Sequence, residues 1–221
     1  MGAWWRSLAF APFLLLSGCF LSSSVPIIDK TDIAAGFEAG RYETLEGQKP
    51  DQFAKVPAAI RPGCIDPGYV ATERDENFKP TGKRNKIVYC AYDSDKGAAK
   101  PVSAISIAGA DYGWQGGEEK SSFRLKQIRD GYYLMQVVAQ VSGDAKLDAP
   151  LYVYLVIRVL PDRIEAYVPD CAQFPAIQTK KTDPVECEVK SFGALAPDLP
   201  AYLGQIDSGA EVPVAMFRRV P

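Results

Sequence analysis

The chain has 221 residues, of which 47% are hydrophobic and 24% are charged, and its formal net charge is −2. This length is sufficient for an apolar core in one larger domain or in two small ones. A weakly acidic chain lacks the basic surface that nucleic-acid binding requires, so nucleic acid is excluded as an expected partner.

The amino-terminal segment has the pattern of a secretory signal peptide. Arg6 is the only charged residue before Asp29, and apolar residues follow it from position 8 to position 16. A helix needs about twenty apolar residues to cross a bilayer, and Pro12 interrupts this shorter stretch. We therefore predict a signal peptide at residues 1–18 rather than a membrane helix.

The sequence Leu16-Ser17-Gly18-Cys19 resembles the lipobox of bacterial lipoproteins, in which a branched apolar residue and two small residues precede a cysteine. The resemblance implies cleavage before Cys19 and a thioether-linked diacylglycerol on its thiol. It also implies an amino terminus acylated by a fatty acid such as palmitate. Two or three acyl chains anchor a protein stably, whereas a single chain binds a membrane only marginally. An ordinary cleaved signal with a chance cysteine beside it is the alternative.

The residues after Cys19 suggest where the chain is anchored. In enteric-type sorting, an aspartate in the next position retains a lipoprotein in the inner membrane, so Phe20 implies export to the outer membrane. We expect a lipid-anchored protein of the cell envelope, on the outer membrane and facing the periplasm. The predicted organisation is a signal peptide at residues 1–18, a flexible lipidated tether at 19–30 and a β-rich globular domain at 31–221. The membrane is the expected partner through the lipid, and an envelope protein or glycan is the further candidate.

Antiparallel strands joined by short turns dominate the rest of the chain. Asp130-Gly131 separates two apolar-patterned runs between residues 122 and 140, which is typical of a β-hairpin. Pro161-Asp162 separates a second pair, at 151–159 and 163–168, rich in β-branched and aromatic residues. Weaker strands are expected at 40–44, 69–73, 86–92, 102–108 and 215–220.

Neighbouring strands without helices between them indicate an antiparallel meander. We predict an all-β fold, in which the meander forms either an up-and-down barrel or two packed sheets. One short C-terminal helix is expected from apolar residues at the i, i+3, i+4, i+7 spacing, with Asp198 as its N-cap. These apolar residues are Leu199, Tyr202, Leu203 and Ile206.

The remaining four cysteines are Cys64, Cys90, Cys171 and Cys187. An even number in an exported chain suggests two disulfides, for which three pairings are possible. Sequence proximity favours Cys64–Cys90 and Cys171–Cys187, each contributing about 3 kcal/mol through the unfolded state if its geometry is unstrained. A zinc site is the alternative, but the chain has no Cys-x-x-Cys pair and no histidine, so no metal site is predicted.

The glycine-rich segment at residues 110–119 is the candidate partner-binding loop. Its glycines give the backbone freedom, while Tyr112 and Trp114 offer amphipathic rings that suit contact with a protein or a sugar. The alternative is a plain loop whose tryptophan packs over the barrel mouth as a plug.

Missing residue types restrict the chemistry further. The absence of histidine excludes Ser-His-Asp and Cys-His catalysis. No glycine-rich phosphate loop follows a strand and opens a helix, so we expect neither a cofactor nor a catalytic residue set.

Three classes of function remain, in descending order of expectation. The first is a non-catalytic lipoprotein of the envelope with a binding or structural role. The second is a lipocalin-like carrier, which requires an internal cavity of several hundred Å³. The third is a carboxylate-dependent glycan hydrolase, which requires two acidic groups about 5–9 Å apart in a cleft.

Overall fold

The computed structural model describes residues 21–32, 34, 37–74, 80–109, 111–117, 119–138, 150–180 and 186–221. The predicted signal peptide, Cys19 and Phe20 lie outside the described residues. The candidate loop is described except for Ala110 and Glu118.

The described residues form sixteen strands, three α-helices and three short 3-10 helices. The strands are β1 (Ser22–Ser23), β2 (Gly40–Gln48), β3 (Val70–Arg74), β4 (Pro80–Lys86), β5 (Val88–Cys90), β6 (Tyr92–Asp93), β7 (Ala98–Ala99), β8 (Val102–Ala108), β9 (Asp111–Gly116), β10 (Glu119–Arg129), β11 (Tyr132–Val138), β12 (Tyr152–Val159), β13 (Ile164–Tyr167), β14 (Gln178–Lys180), β15 (Glu186–Cys187) and β16 (Ala215–Val220). The α-helices are α1 (Pro50–Phe53), α2 (Phe192–Leu195) and α3 (Leu199–Asp207), and the 3-10 helices are Arg61–Gly63, Cys171–Gln173 and Pro175–Ile177. Among the described helices, none is long and apolar enough to cross a membrane.

Eight of the strands form a closed antiparallel barrel. Around the barrel they follow the order β2-β8-β9-β10-β11-β12-β13-β16, and β16 pairs back onto β2. Each barrel strand therefore pairs with the barrel strands before and after it in the chain, and the two terminal strands close the ring. The all-β prediction is confirmed, and of its two architectures the up-and-down barrel is the one observed.

Aromatic rings fill the barrel interior. The ring of Phe37 stacks on Tyr112 and Phe123 with centroid distances of 5.4 and 5.7 Å, and those two rings stack on each other at 5.1 Å. The other buried members of this cluster are Ala34, Tyr42, Ile105, Leu125, Tyr133, Leu155, Ile157, Ile164, Ala166, Ala215 and Phe217. Because inward positions alternate along each strand, large side chains at those positions make the interior a packed core.

A second apolar layer covers the outer face of β11, β12 and β13. Outward residues of these strands pack against α3 and against the segment that carries the Cys171–Cys187 disulfide. These residues include Tyr132, Leu134, Tyr154, Val156 and Tyr167, and all four apolar residues predicted for the helix are buried against them. The strands are buried on both faces, which explains the nearly continuous apolar run in β12.

The helix prediction is confirmed by α3, but its capping differs from the expectation. Asp198 occupies the N-cap position without a side-chain cap bond. Its carboxylate instead accepts a hydrogen bond from the backbone N–H of Ala176, at 2.9 Å. Asp198 therefore ties a neighbouring 3-10 helix to the start of α3.

The predicted flexible tether is wrong for its described part. Leu21 and Ile28 are 0% and 1% exposed, and β1 pairs with β12. The side-chain oxygen of Gln136 accepts hydrogen bonds from the N–H groups of Ile27 and Ile28, at 2.7 and 3.0 Å. The globular domain therefore includes residues from Leu21 onward, since the outer face of the barrel offers apolar surface for them to cover.

Both disulfides have the favoured pairing, Cys64–Cys90 and Cys171–Cys187. The first lies in the insertion between β2 and β8, which packs over the outer face of β2 and β16 through Tyr89, Leu45 and Met216. This insertion brings the β3–β4 hairpin close to β13, where the charged cluster described next is found.

Candidate functional site

The segment predicted as a partner-binding loop is a barrel strand. Strand β9 pairs with both β8 and β10, and Tyr112 is fully buried in the interior core. The Tyr112 hydroxyl accepts a hydrogen bond from the N–H of Ala34, at 3.2 Å, and burial raises its pKa. The loop interpretation is therefore wrong, and this ring is closed off from a partner. Trp114 is partly buried at the mouth of the barrel.

The glycines of this segment serve close packing. A Cβ atom on Gly113 would lie 2.6 Å from the Ser106 Oγ, and one on Gly116 would lie 2.5 Å from the Trp114 ring. The Trp114 ring leaves no room for a side chain at position 116, so glycine is required there, whereas the exposed Ser106 hydroxyl could rotate away from a side chain at position 113. Glycines that allow a flexible loop and glycines that avoid close contacts in a strand look the same in a sequence. The sequence alone therefore could not distinguish the two structures.

The structure concentrates charge outside the barrel, around Glu165 of β13. This carboxylate is fully buried. It accepts hydrogen bonds from the hydroxyls of Tyr69 and Tyr167, at 3.1 and 2.7 Å, and from the Nε of Arg163, at 2.9 Å. A buried carboxylate is tolerated only when such donors satisfy it, so these partners fix its position.

Arg158 of β12 lies between two carboxylates. Its guanidinium nitrogens are 3.8 Å from Glu165 Oε2 and 4.0 Å from Asp207 Oδ1. The side chain is 26% exposed, so part of the guanidinium remains accessible to solvent. Burial alone would lower the pKa of Arg158, but Tyr132 and Glu165 outweigh it and the pKa is raised. The group therefore stays cationic.

Asp207, the last residue of α3, connects the helix to the barrel. It accepts hydrogen bonds from the Tyr132 hydroxyl and from Arg129, and these two bonds hold its pKa below the usual range. Burial, together with the bond to Asp207, raises the pKa of Tyr132 to about 12. The Arg129 guanidinium carbon lies 4.4 Å from the centroid of the Tyr132 ring, within the range of a cation–π contact.

A groove of about 370 Å³ opens beside this cluster. We call it the arginine groove; its lining includes Gly68, Tyr69, Arg84, Arg158, Asp207 and Ser208. The β3–β4 hairpin supplies one wall and the end of α3 the other, with β12 between them.

Arg84 and Arg158 place two guanidinium groups on the arginine groove, beside the Asp207 carboxylate. Arg84 is exposed, and none of the carboxylates among the described residues forms an ion pair with it. Arg158 keeps an exposed part although two carboxylates hold it. A planar guanidinium binds carboxylate or phosphate through two parallel hydrogen bonds, so two arginines on one groove suit an anionic group.

The same geometry weighs against hydrolysis. Glu165 and Asp207 both approach Arg158, yet Glu165 is fully buried behind the hydroxyls of Tyr69 and Tyr167. A glycosidase needs two carboxyl groups that reach opposite sides of one bond. Within the described part of the chain there is also no cluster of three metal-ligating side chains.

Sequence reasoning missed the residues of this site because they are spread along the chain, from Gly68 before β3 to Ser208 after α3. Because side chains alternate along a strand, Glu165 lies on the same face of β13 as Arg163 and Tyr167, opposite Ile164. The alternation pattern did not reveal that this polar face is buried. A carboxylate flanked at i±2 by arginine and tyrosine is the signal that could have marked it.

Comparison with known proteins adds no relative from which a role could be inferred. The chain matches no protein-family model, no curated protein and no solved structure. Its function is therefore argued from the chemistry of its own surface.

Proposed function

We propose that the protein is a lipid-anchored, non-catalytic binding protein of the bacterial cell envelope, which binds an acidic segment of another envelope protein in the arginine groove. The observation that supports this proposal most directly is that Arg84 and Arg158 line the same open groove. The lipobox resemblance supports the anchor. Two disulfides support export, since disulfides persist in oxidising compartments.

The groove is rigid enough to select a partner. Arg158 is held by Glu165 and Asp207, and α3 is fixed to the barrel through Tyr132. A preorganised guanidinium loses less side-chain entropy on binding than a freely moving one. Arg84 supplies the charge without a described carboxylate partner, so it is the side chain that an incoming carboxylate would meet first.

A lipocalin-like carrier is the second candidate, and the eight-stranded up-and-down barrel favours it. Such a carrier holds its ligand inside the barrel. Here the stacked rings of Phe37, Tyr112 and Phe123 occupy the interior. Because the core is filled, binding of a partner on the outer surface is favoured over binding of a ligand inside the barrel.

Binding of a fluorescein-labelled hexaglutamate peptide to residues 21–221 tests the groove. These residues include every described strand and both disulfides. Reversing the Arg84 charge with Arg84→Glu should weaken binding about tenfold or more, because attraction to the peptide becomes repulsion. Fluorescence anisotropy at low and at physiological salt gives the dissociation constants, and the wild-type affinity should fall as salt screens the charges.

Lys55→Glu is the matched control, because Lys55 is exposed and does not line the groove. It makes the same change in net charge and should leave the affinity within about twofold of wild type. Equal weakening by both variants would mean that only net charge matters and would contradict the groove. Binding of a glucuronate polymer but not of the peptide would contradict the protein partner and indicate an anionic glycan instead.

A further inference from the structure

Strand β3 has a paired neighbour on one side only. It pairs with β4 in a two-stranded sheet, and none of the other described strands pairs with it. In the register of this pair, Val70 lies opposite Lys86 and Thr72 lies opposite Arg84. The side of β3 that points away from β4 is therefore open, and we call its backbone groups at residues 70–72 the β3 edge.

Hydrogen bonding within the hairpin shows which backbone groups this edge presents. The N–H of Ile87 donates to the carbonyl oxygen of Tyr69, at 2.9 Å. Residues that bond across an antiparallel pair alternate with residues whose backbone groups point outward. Tyr69 and Ala71 therefore bond toward β4, whereas the N–H and C=O groups of Val70 and Thr72 point away from it. Within the described ranges, no backbone group outside the hairpin bonds to these four groups.

The β3 edge borders the arginine groove. Gly68, Tyr69 and Val70 line one wall of that groove. Val70 is half-buried and Thr72 is exposed, so an incoming chain can reach the backbone of both. The Arg84 side chain lies on the same face of the hairpin as Thr72, because directly opposite residues share a face. Backbone donors and acceptors thus lie beside one of the two guanidinium groups of the groove.

We infer that the acidic partner segment binds as an extended strand that adds to the β3 edge, pairing its backbone with Val70 and Thr72 while its carboxylates meet Arg84. Strand addition to an exposed sheet edge is a recurring mode of peptide recognition, in which backbone bonds give affinity and alternate side chains give specificity. The register shift between Thr72 and Arg74 ends the regular edge, so the added strand is short. This inference rests on the proposed function, because it specifies how the acidic segment is held beside the arginine groove.

The charge of the hairpin favours an acidic strand over a second copy of β3. Arg84 and Lys86 share the face of Val70 and Thr72. Two copies joined through this edge would bring their cationic side chains together, and like charges close together on one sheet face are destabilising. An acidic strand instead brings carboxylates to the same face, where opposite charges attract.

Thr72→Pro tests the edge because it removes an N–H that points outward and leaves the bonds to β4 in place. Proline is tolerated on edge strands for this reason. The ligand is a fluorescein-labelled hexapeptide of alternating glutamate and threonine, and fluorescence anisotropy with residues 21–221 measures its affinity. The substitution should weaken binding at least about fivefold, through the lost hydrogen bond. Thr72→Val is the matched control, since it alters the same side chain but keeps the N–H, and its affinity should stay within about twofold of wild type.

Two modified peptides test the same contact without changing the protein. Both carry three backbone N-methyl groups, in one peptide on every glutamate and in the other on every threonine, so their charges and methyl counts are equal. Only every second N–H of an added strand points toward β3, and the register is fixed because the glutamates must face Arg84. One of the two peptides should therefore lose at least about fivefold in affinity, while the other binds like the unmodified peptide. A difference of either sign supports the added strand.

The outcomes separate this inference from the proposed function. If Arg84→Glu weakens binding but Thr72→Pro and both methylated peptides bind as the unmodified pair does, the added strand is overturned and the charged groove stands. Peptide binding that does not depend on Arg84 would contradict the groove itself. If Thr72→Pro fails to fold, the two methylated peptides are compared on the wild-type protein, and equal affinities there would refute the added strand.

Discussion

At the residue scale, Glu165 determines how the charged cluster is built. The structure surrounds it with hydroxyls from Tyr69 and Tyr167 and with the guanidinium groups of Arg158 and Arg163. Arg163 and Tyr167 lie two residues from Glu165, and Arg158 faces it across the β12–β13 hairpin. Tyr69 is 96 residues away in the sequence, so its contact with Glu165 could not be foreseen. The burial of this face depends on the insertion between β2 and β8, whose position no local pattern reveals.

Glu165→Gln should therefore be strongly destabilising. The substitution removes a buried negative charge that holds two arginines, and breaking a buried pair costs about 3–5 kcal/mol. Asp162→Asn is the matched control, because Asp162 also pairs with Arg163, at 2.9 Å, but is 65% exposed. An exposed pair contributes about 0–1 kcal/mol. Urea unfolding of both variants measures the difference, and equal losses would refute a structural role for the buried carboxylate.

At the scale of elements, the sequence predicts best where the signal is local. Asp130-Gly131 and Pro161-Asp162 mark two hairpins that the structure contains, and the apolar spacing around Tyr202 marks α3. The segment at 110–119 was mistaken for a loop because its glycines were taken as a sign of backbone freedom, whereas Gly113 and Gly116 lie in the paired strand β9. The segment after Cys19 was mistaken for a tether because its small polar residues suggest flexibility, although Leu21 and Ile28 are buried.

Leu21→Ala tests whether this segment belongs to the domain. Leu21 is fully buried in the outer layer, and truncating a buried leucine costs about 2–5 kcal/mol of unfolding free energy. Val25→Ala, in the same segment but at a residue that is 54% exposed, should change it by about 0.5 kcal/mol or less. The comparison is made by thermal or urea unfolding. If neither substitution lowers stability, the segment is a tether after all.

At the scale of the whole molecule, the barrel closes through strands from opposite ends of the chain. Pairing of β16 with β2 joins residues near 218 to residues near 43. Alternating strands fit a barrel and two packed sheets equally well, so the sequence left both open, and only this long-range pairing distinguishes them. The same closure places β12 and the β3–β4 hairpin on one side, where they form the arginine groove together with the end of α3.

The packing of the amino-terminal segment also determines how far the barrel would lie from the proposed lipid anchor. Leu21 is buried only two positions after Cys19, and an extended chain covers about 3.3–3.6 Å per residue. A lipid on Cys19 would therefore hold the barrel directly at the membrane surface, without a spacer.

The proposed location of the protein in the cell envelope depends on lipid attachment to Cys19. The most direct measurement is incorporation of labelled palmitate and partitioning into a detergent phase, for the full chain and for Cys19→Ser expressed in bacteria. We predict that the unsubstituted chain is labelled and enters the detergent phase, whereas Cys19→Ser is unlabelled and soluble, with unchanged thermal unfolding because Cys19 precedes the packed residues. Equal labelling and equal membrane retention of the two proteins would contradict the account.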